Sequence, residues 1–237
     1  MKKHSRSGFT LMETLLAIAV VAVLITTFLA VFGPATNSIR RAISVQDADR
    51  LASALEQELR TLRQDEIGTF DTPFDKAFDW ISNSGSLDSA VLLFNYRGDT
   101  SQVNNGELGP FTDTNGNPGE DYLVQSAVRH LGNSTNDLEG LMQAIEGRAY
   151  VVQMRQLIRD NNGGLTASDG NSLTSAAGSG ASTGADFEDA VIAFQADFYV
   201  LPANTFQYVS SNLAQAGSNF QATLGSPLFS RAMAVRR

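Results

Sequence analysis

The chain has 237 residues, 43% of them hydrophobic and 18% charged, enough to bury a core in one domain or two. It has no cysteine and only two histidines, His4 and His130, which excludes disulfide frameworks, thiol nucleophiles and thiolate zinc sites, and leaves one histidine as a candidate base outside the first eight residues. Acids outnumber bases by 25 to 17, and Lys2, Lys3 and Arg6 all precede the first long apolar run, so the remainder is acidic enough to repel nucleic-acid backbones and anionic headgroups; beyond Arg6 the single lysine is Lys76.

The basic stretch Met1 to Ser7 leads into Gly8-Phe9-Thr10-Leu11-Met12-Glu13 and then into an apolar run from Leu15 to Phe32. The 24 residues from Phe9 to Phe32, at about 1.5 Å per residue, are long enough as a helix to cross the roughly 30 Å hydrocarbon layer. A secretory signal peptide fits less well, because the apolar stretch exceeds the usual length and the best small-residue cleavage site falls only after Gly33-Pro34-Ala35. Glu13 is the residue that a simple anchor has no use for. A carboxylate in an apolar helix needs a partner or a proton, and so marks a functional site; the bland alternative is a side chain that snorkels to the headgroups.

These residues resemble the prepilin family, the type IV pilins and the pseudopilins of type II secretion, whose signature is a short basic leader ending in Gly, then Phe-Thr-Leu-x-Glu and a long apolar helix. Here Gly8, Phe9, Thr10, Leu11 and Glu13 occupy those places. The resemblance covers about the first sixty residues. It implies a prepilin peptidase that cuts between Gly8 and Phe9 and N-methylates Phe9. It also implies a Glu13 carboxylate neutralised by the Phe9 ammonium of a neighbouring subunit, which fixes axial register on assembly. The partners implied are other pilin or pseudopilin subunits, an inner-membrane assembly platform and membrane lipid. Basic residues flank the span on both sides, Arg40, Arg41 and Arg50 following it, so orientation rests on the resemblance: leader in the cytoplasm, large C-terminal part in the periplasm. The expected function is a non-catalytic filament subunit, a minor pilin or pseudopilin; the alternative is a membrane-anchored periplasmic binding or adhesion domain that uses the helix only as an anchor.

The expected organisation is a leader at 1–8, a transmembrane and assembly helix at 9–33, an amphipathic continuation at 34–67 and an α+β head at 68–237. After Gly33-Pro34, which should kink or loosen the helix, apolar residues from Ile39 to Leu62 recur in steps of three and four, giving one helical face to about Glu66. In the head, Ala190–Leu201 alternates with period two, Ile192, Phe194, Ala196, Phe198 and Val200 lying opposite Gln195 and Asp197, and Arg148–Arg159 behaves similarly. Weaker strands are expected at Ala90–Tyr96, Tyr122–Val128 and Phe229–Val235, with short helices at Pro73–Ile81, Asp137–Ile145 and Thr205–Ala214. The simplest architecture is an antiparallel sheet packed on the long N-terminal helix. Residues 160–186, rich in Gly, Ser, Ala, Thr and Asn, read as a flexible surface loop.

Three further patterns carry candidate chemistry. Asp113, Asn115, Asn117 and Asp121 place oxygen ligands at the spacing of the first half of a calcium loop, though Pro118 stands where the turn glycine belongs and Val124 where the closing Glu belongs. Asn-Gly and Pro-Gly in the same stretch are ordinary turn dipeptides, and calcium is the one cofactor the sequence suggests. His130 with Asp137 or Glu139 has no nucleophile motif beside it and reads as a surface or strand histidine. Arg231, Arg236 and Arg237 make a basic C-terminus suited to an inter-subunit salt bridge better than to DNA.

Overall fold

The computed structural model describes residues 10–64, 66–104, 106–112, 122–132, 138–160, 162–168 and 172–237, with Asn37 described by its backbone alone. It divides into two units, residues 1–44 and 45–237. Helix α1, Leu11–Glu58, belongs to both.

In the first unit α1 runs on through Pro34. Hydroxyls return to the helix backbone around the proline: Thr36 Oγ1 donates to the carbonyls of Phe32 and Gly33, and Ser38 Oγ to that of Pro34. Thr26 and Thr27 do the same at 2.8 Å within the apolar stretch, leaving no bare hydroxyl there.

The second unit is an α+β head built on seven strands: β1 Val91–Asn104, β2 Glu107–Pro110, β3 Tyr122–His130, β4 Ile145–Arg159, β5 Leu165–Ala167, β6 Val191–Val200 and β7 Phe229–Arg236. All pair antiparallel, with β1, β4, β6 and β7 side by side. β3 lies along the other side of β1 from Val91 to Asp99, and β2 pairs with the far end of β1. One face of the sheet buries Leu93, Val152, Ile192, Phe194 and Phe198 against Ala48, Leu51, Ala52, Leu55 and Leu59 of α1 and against α2, Pro73–Asn83. The opposite face buries Leu92, Phe94, Tyr96, Val151 and Tyr199 under α3, Leu138–Gln143, under α4, Phe206–Tyr208, with the π-helical turn Val209–Leu213 that follows it, and under α5, Phe220–Leu224. Burial on both faces is why the alternation of Ala90–Tyr96 is weak: Val91-Leu92-Leu93-Phe94 is a continuous apolar run because neither face meets water.

Three expectations are corrected here. The helical continuation ends at Glu58, not near Glu66. Arg63 forks onto the Glu58 carboxylate at 2.8 and 2.7 Å and Lys76 reaches both Glu58 and Glu66, contacts that need the chain to turn back after Leu59. Asp197, expected on the open face of its strand, is 1% exposed, its carboxylate taking hydrogen bonds from Arg155, Gln195 and Ser230. Much of the 160–186 segment is built into the head: β5 pairs with β4, Leu173 is buried, and the Gln156 amide holds both N–H and C=O of Thr174 at 2.9 and 2.6 Å. Arg237 donates to the carbonyls of Gly184 and Phe187 and lies over the Phe74 ring, fastening the end of that segment. Gly184 is required by the packing, since a Cβ there would meet the Asp75 Cα at 2.8 Å.

Helix α2 forms where its sequence places the signals. Thr72 caps the Asp75 N–H, Pro73 stands in the first turn, and five apolar side chains share the buried side with Lys76. Its end is tied to the sheet by Ser84, whose hydroxyl bonds both the N–H and the C=O of Met154.

Candidate functional site

The start of α1 is the site that the sequence singles out. Gly8 and Phe9 lie outside the described residues; Glu13 lies within them. Thr10 precedes the first helical residue and Glu13 is the third residue of the helix. Thr10 Oγ1 accepts the Glu13 N–H at 3.3 Å, while the Glu13 carboxylate accepts the Thr10 N–H at 3.4 Å. This is a reciprocal capping box, and it satisfies two backbone donors that a helix end would otherwise leave bare. The signal was legible as Thr-x-x-Glu, yet the sequence reading assigned Glu13 only to assembly. The same carboxylate thus has a local task within its own chain, and among the described residues no basic group pairs with it.

From Thr10 to Thr36 every side chain is exposed, Leu11 by 83% and Ile18 by 69%. The best 18-residue window has a mean hydropathy of 2.9 and none of it is buried. A helix that is apolar all round needs a surrounding that is not water, either lipid or other helices. Charge enters only at Glu13 and again at Arg40.

Where α1 ends, the head holds it with an unbroken chain of ion pairs: Arg129 to Glu107, Glu107 to Arg63, Arg63 to Glu58, Glu58 to Lys76 and Lys76 to Glu66. Three bases and three acids balance. Lys76 is fully buried, with Glu58 Oε1 at 2.5 Å, Glu66 Oε2 at 2.7 Å, the Thr61 carbonyl at 3.1 Å and the Trp80 ring centroid at 4.6 Å. Burial alone would raise the Glu58 carboxyl, but hydrogen bonding by Arg63 and the charges of Lys76 and Arg63 outweigh it and hold the group below its ordinary range. Sequence reasoning noted Lys76 as the lone lysine without seeing why; a lone lysine within the apolar pattern of α2 was the available cue.

The remaining candidates separate cleanly. Asp113, Asn115, Asn117 and Asp121 lie outside the described residues, and among the described residues no cluster of three acids or histidines is placed to hold a metal ion. His130 ends β3 and is buried, and Glu139 is exposed. Arg231, expected to reach a neighbour, pairs within its own chain with Asp49 at 3.1 Å, because β7 runs beside the helix face that carries Asp49. A cleft of about 310 Å³ between α2 and residues 182–185, lined by Phe70 and Phe78 with Asp71, Asp75 and Asp79, is a place where a ligand-binding head could act.

Comparison with known families finds the prokaryotic N-terminal methylation motif over residues 3–29. That motif is the signature of prepilin-type proteins, the type IV pilin-like and pseudopilin chains. No curated protein and no solved structure is found to match the chain. The match and the apolar helix together fit a membrane-anchored, single-pass protein, and the α+β head of antiparallel sheet on a long N-terminal helix is consistent with a pilin-like architecture. The motif points to a structural subunit, not to an enzyme.

Proposed function

We propose that the chain is the precursor of a filament subunit, a minor pilin or pseudopilin. Prepilin peptidase cuts between Gly8 and Phe9 and methylates the new Phe9 amine, the head stands in the periplasm, and the inner-membrane platform gathers the helices with those of other subunits. The observation that carries this reading is a helix with apolar side chains exposed on every side that begins within the methylation motif. Lipid satisfies such a surface before assembly and neighbouring helices satisfy it afterwards. Glu13 is the exception that gives the bundle its register: it finds its counter-charge in the Phe9 ammonium of the next subunit, and a misaligned neighbour leaves two unpaired charges in a medium that does not solvate them.

Intact mass and N-terminal sequencing of the protein from native membranes test the reading. The expected chain starts at N-methyl-Phe9, and Gly8→Ala accumulates as the unprocessed form. A native start at Met1, or near Thr36 after signal-peptidase cleavage, overturns it.

A further inference from the structure

His130 is 4% exposed, and its ring stacks on the indole of Trp80, with centroids 5.4 Å apart and planes 29° apart. Among the described residues neither His130 Nδ1 nor Nε2, nor Trp80 Nε1, has a hydrogen-bond partner. The imidazole is also confined: a Cβ at Gly132 would lie 3.1 Å from its Cε1 and 3.7 Å from the Cβ of Ser89, so the turn after β3 and the 3-10 turn Leu87–Ser89 close around the ring. Among the described residues two charged groups face the stack. Asp88 acts on His130 from the 3-10 turn, and Lys76 of α2 sits 4.6 Å from the Trp80 centroid. Arg129, the neighbour of His130 on β3, is held by Glu107.

We propose that the Trp80–His130 stack is an acid-released latch joining α2 to the end of β3. The neutral ring brings one N–H donor into a space where no described residue accepts it, whereas the imidazolium would bring a full charge and a second donor. Burial outweighs the attraction of Asp88 and lowers the His130 pKa from 6.5 to about 4. The opened form therefore takes up its proton below about pH 6.5 and the closed form only below about pH 4. The latch is fully stabilised above the first value, weakens as pH falls between them, and levels off beneath the second. Over that window the ratio of open to closed forms rises on the order of 100-fold. Opening uncovers Trp80, and with it Lys76, so acidification loosens the node that holds the end of α1.

Trp80 is the single tryptophan, so its emission in the full chain, purified in detergent, reports this contact directly. Between pH 7 and pH 4 we expect a reversible red shift of Trp80 emission. Hydrogen exchange, corrected for its intrinsic pH dependence, should speed up on the order of 100-fold in α2 and the C-terminal half of β3, and His130→Phe should remove both changes. Emission and exchange that stay flat across this range, or the same response in His130→Phe, overturn the latch. Should that variant fail to fold, NMR titration of His130 in the native chain decides: a midpoint between 4 and 6.5, with the Trp80 signals shifting alongside it, sustains the proposal, and one near 6.5, or Trp80 signals that do not move, ends it.

Discussion

Replacing Glu13 by glutamine should leave the helix start and leader removal intact while reducing incorporation into filaments by at least tenfold. Glutamine can take the third-residue place of a capping box as glutamate does, so the contact between Thr10 and residue 13 survives. What it cannot supply is a negative charge for a neighbour's N-terminal amine. Glu13→Ala loses the charge and the carboxylate's half of the capping box, and should show the same assembly defect with a somewhat weakened helix start. The pair of variants separates a local cap from an inter-subunit charge partner. Fractionation of membranes and sheared filaments, with mass spectrometry to verify processing, makes the comparison. Incorporation of Glu13→Gln at the native level would assign the carboxylate to capping alone and withdraw it from assembly.

Lys76→Met should be the most damaging single substitution in the head. Among the described residues it removes the base ion-paired with Glu66 and one of two ion-paired with Glu58, leaving two part-buried carboxylates with only Arg63 to offset them. Breaking a buried pair from one side costs about 3–5 kcal/mol. At about 2–4 °C per kcal/mol for a domain of this size, Tm falls by roughly 10 °C. Removing one partner charge as well, in Lys76→Met with Glu66→Gln, should restore part of the loss, since Glu66 then no longer leaves an unpaired charge in the cluster. The pH response supplies a second readout. Glu58 is held below its ordinary value of 4.5, so its contribution is fully present above that pH and disappears as pH falls through its lower folded value. In Lys76→Met that acid-side loss shrinks, because the lysine charge helped to depress the pKa. Thermal melts of both variants and the parent from pH 7 to pH 3 test each point.

The elements legible in the sequence were those whose pattern repeats. The alternation of Ile192, Phe194, Ala196 and Phe198 marked β6, and Pro73 with the apolar residues behind it marked α2. Strand β2, with four residues, and strand β5, with three, were missed because such lengths carry no period. The end of α1 was misplaced because the apolar face continues to Leu62 while the turn is dictated by ion pairs whose partners lie up to 18 residues away. Glu13 was identified correctly as unusual, from the cost of a carboxylate in an apolar helix, but its hydrogen bonds to Thr10 were visible only once the helix start was fixed. Burial of Asp197 depended on Ser230 and Arg155, from two other strands, and no local window contains them.

The segment between β5 and β6 is secured at separated points, by pairing at Leu165–Ala167 and by the Gln156 amide at Thr174. Leu173, beside the second anchor, is itself part of the core. An insertion that displaced Leu173 would be felt in the core and not only at the surface, so this stretch belongs to the head's fold and is no appendage to it.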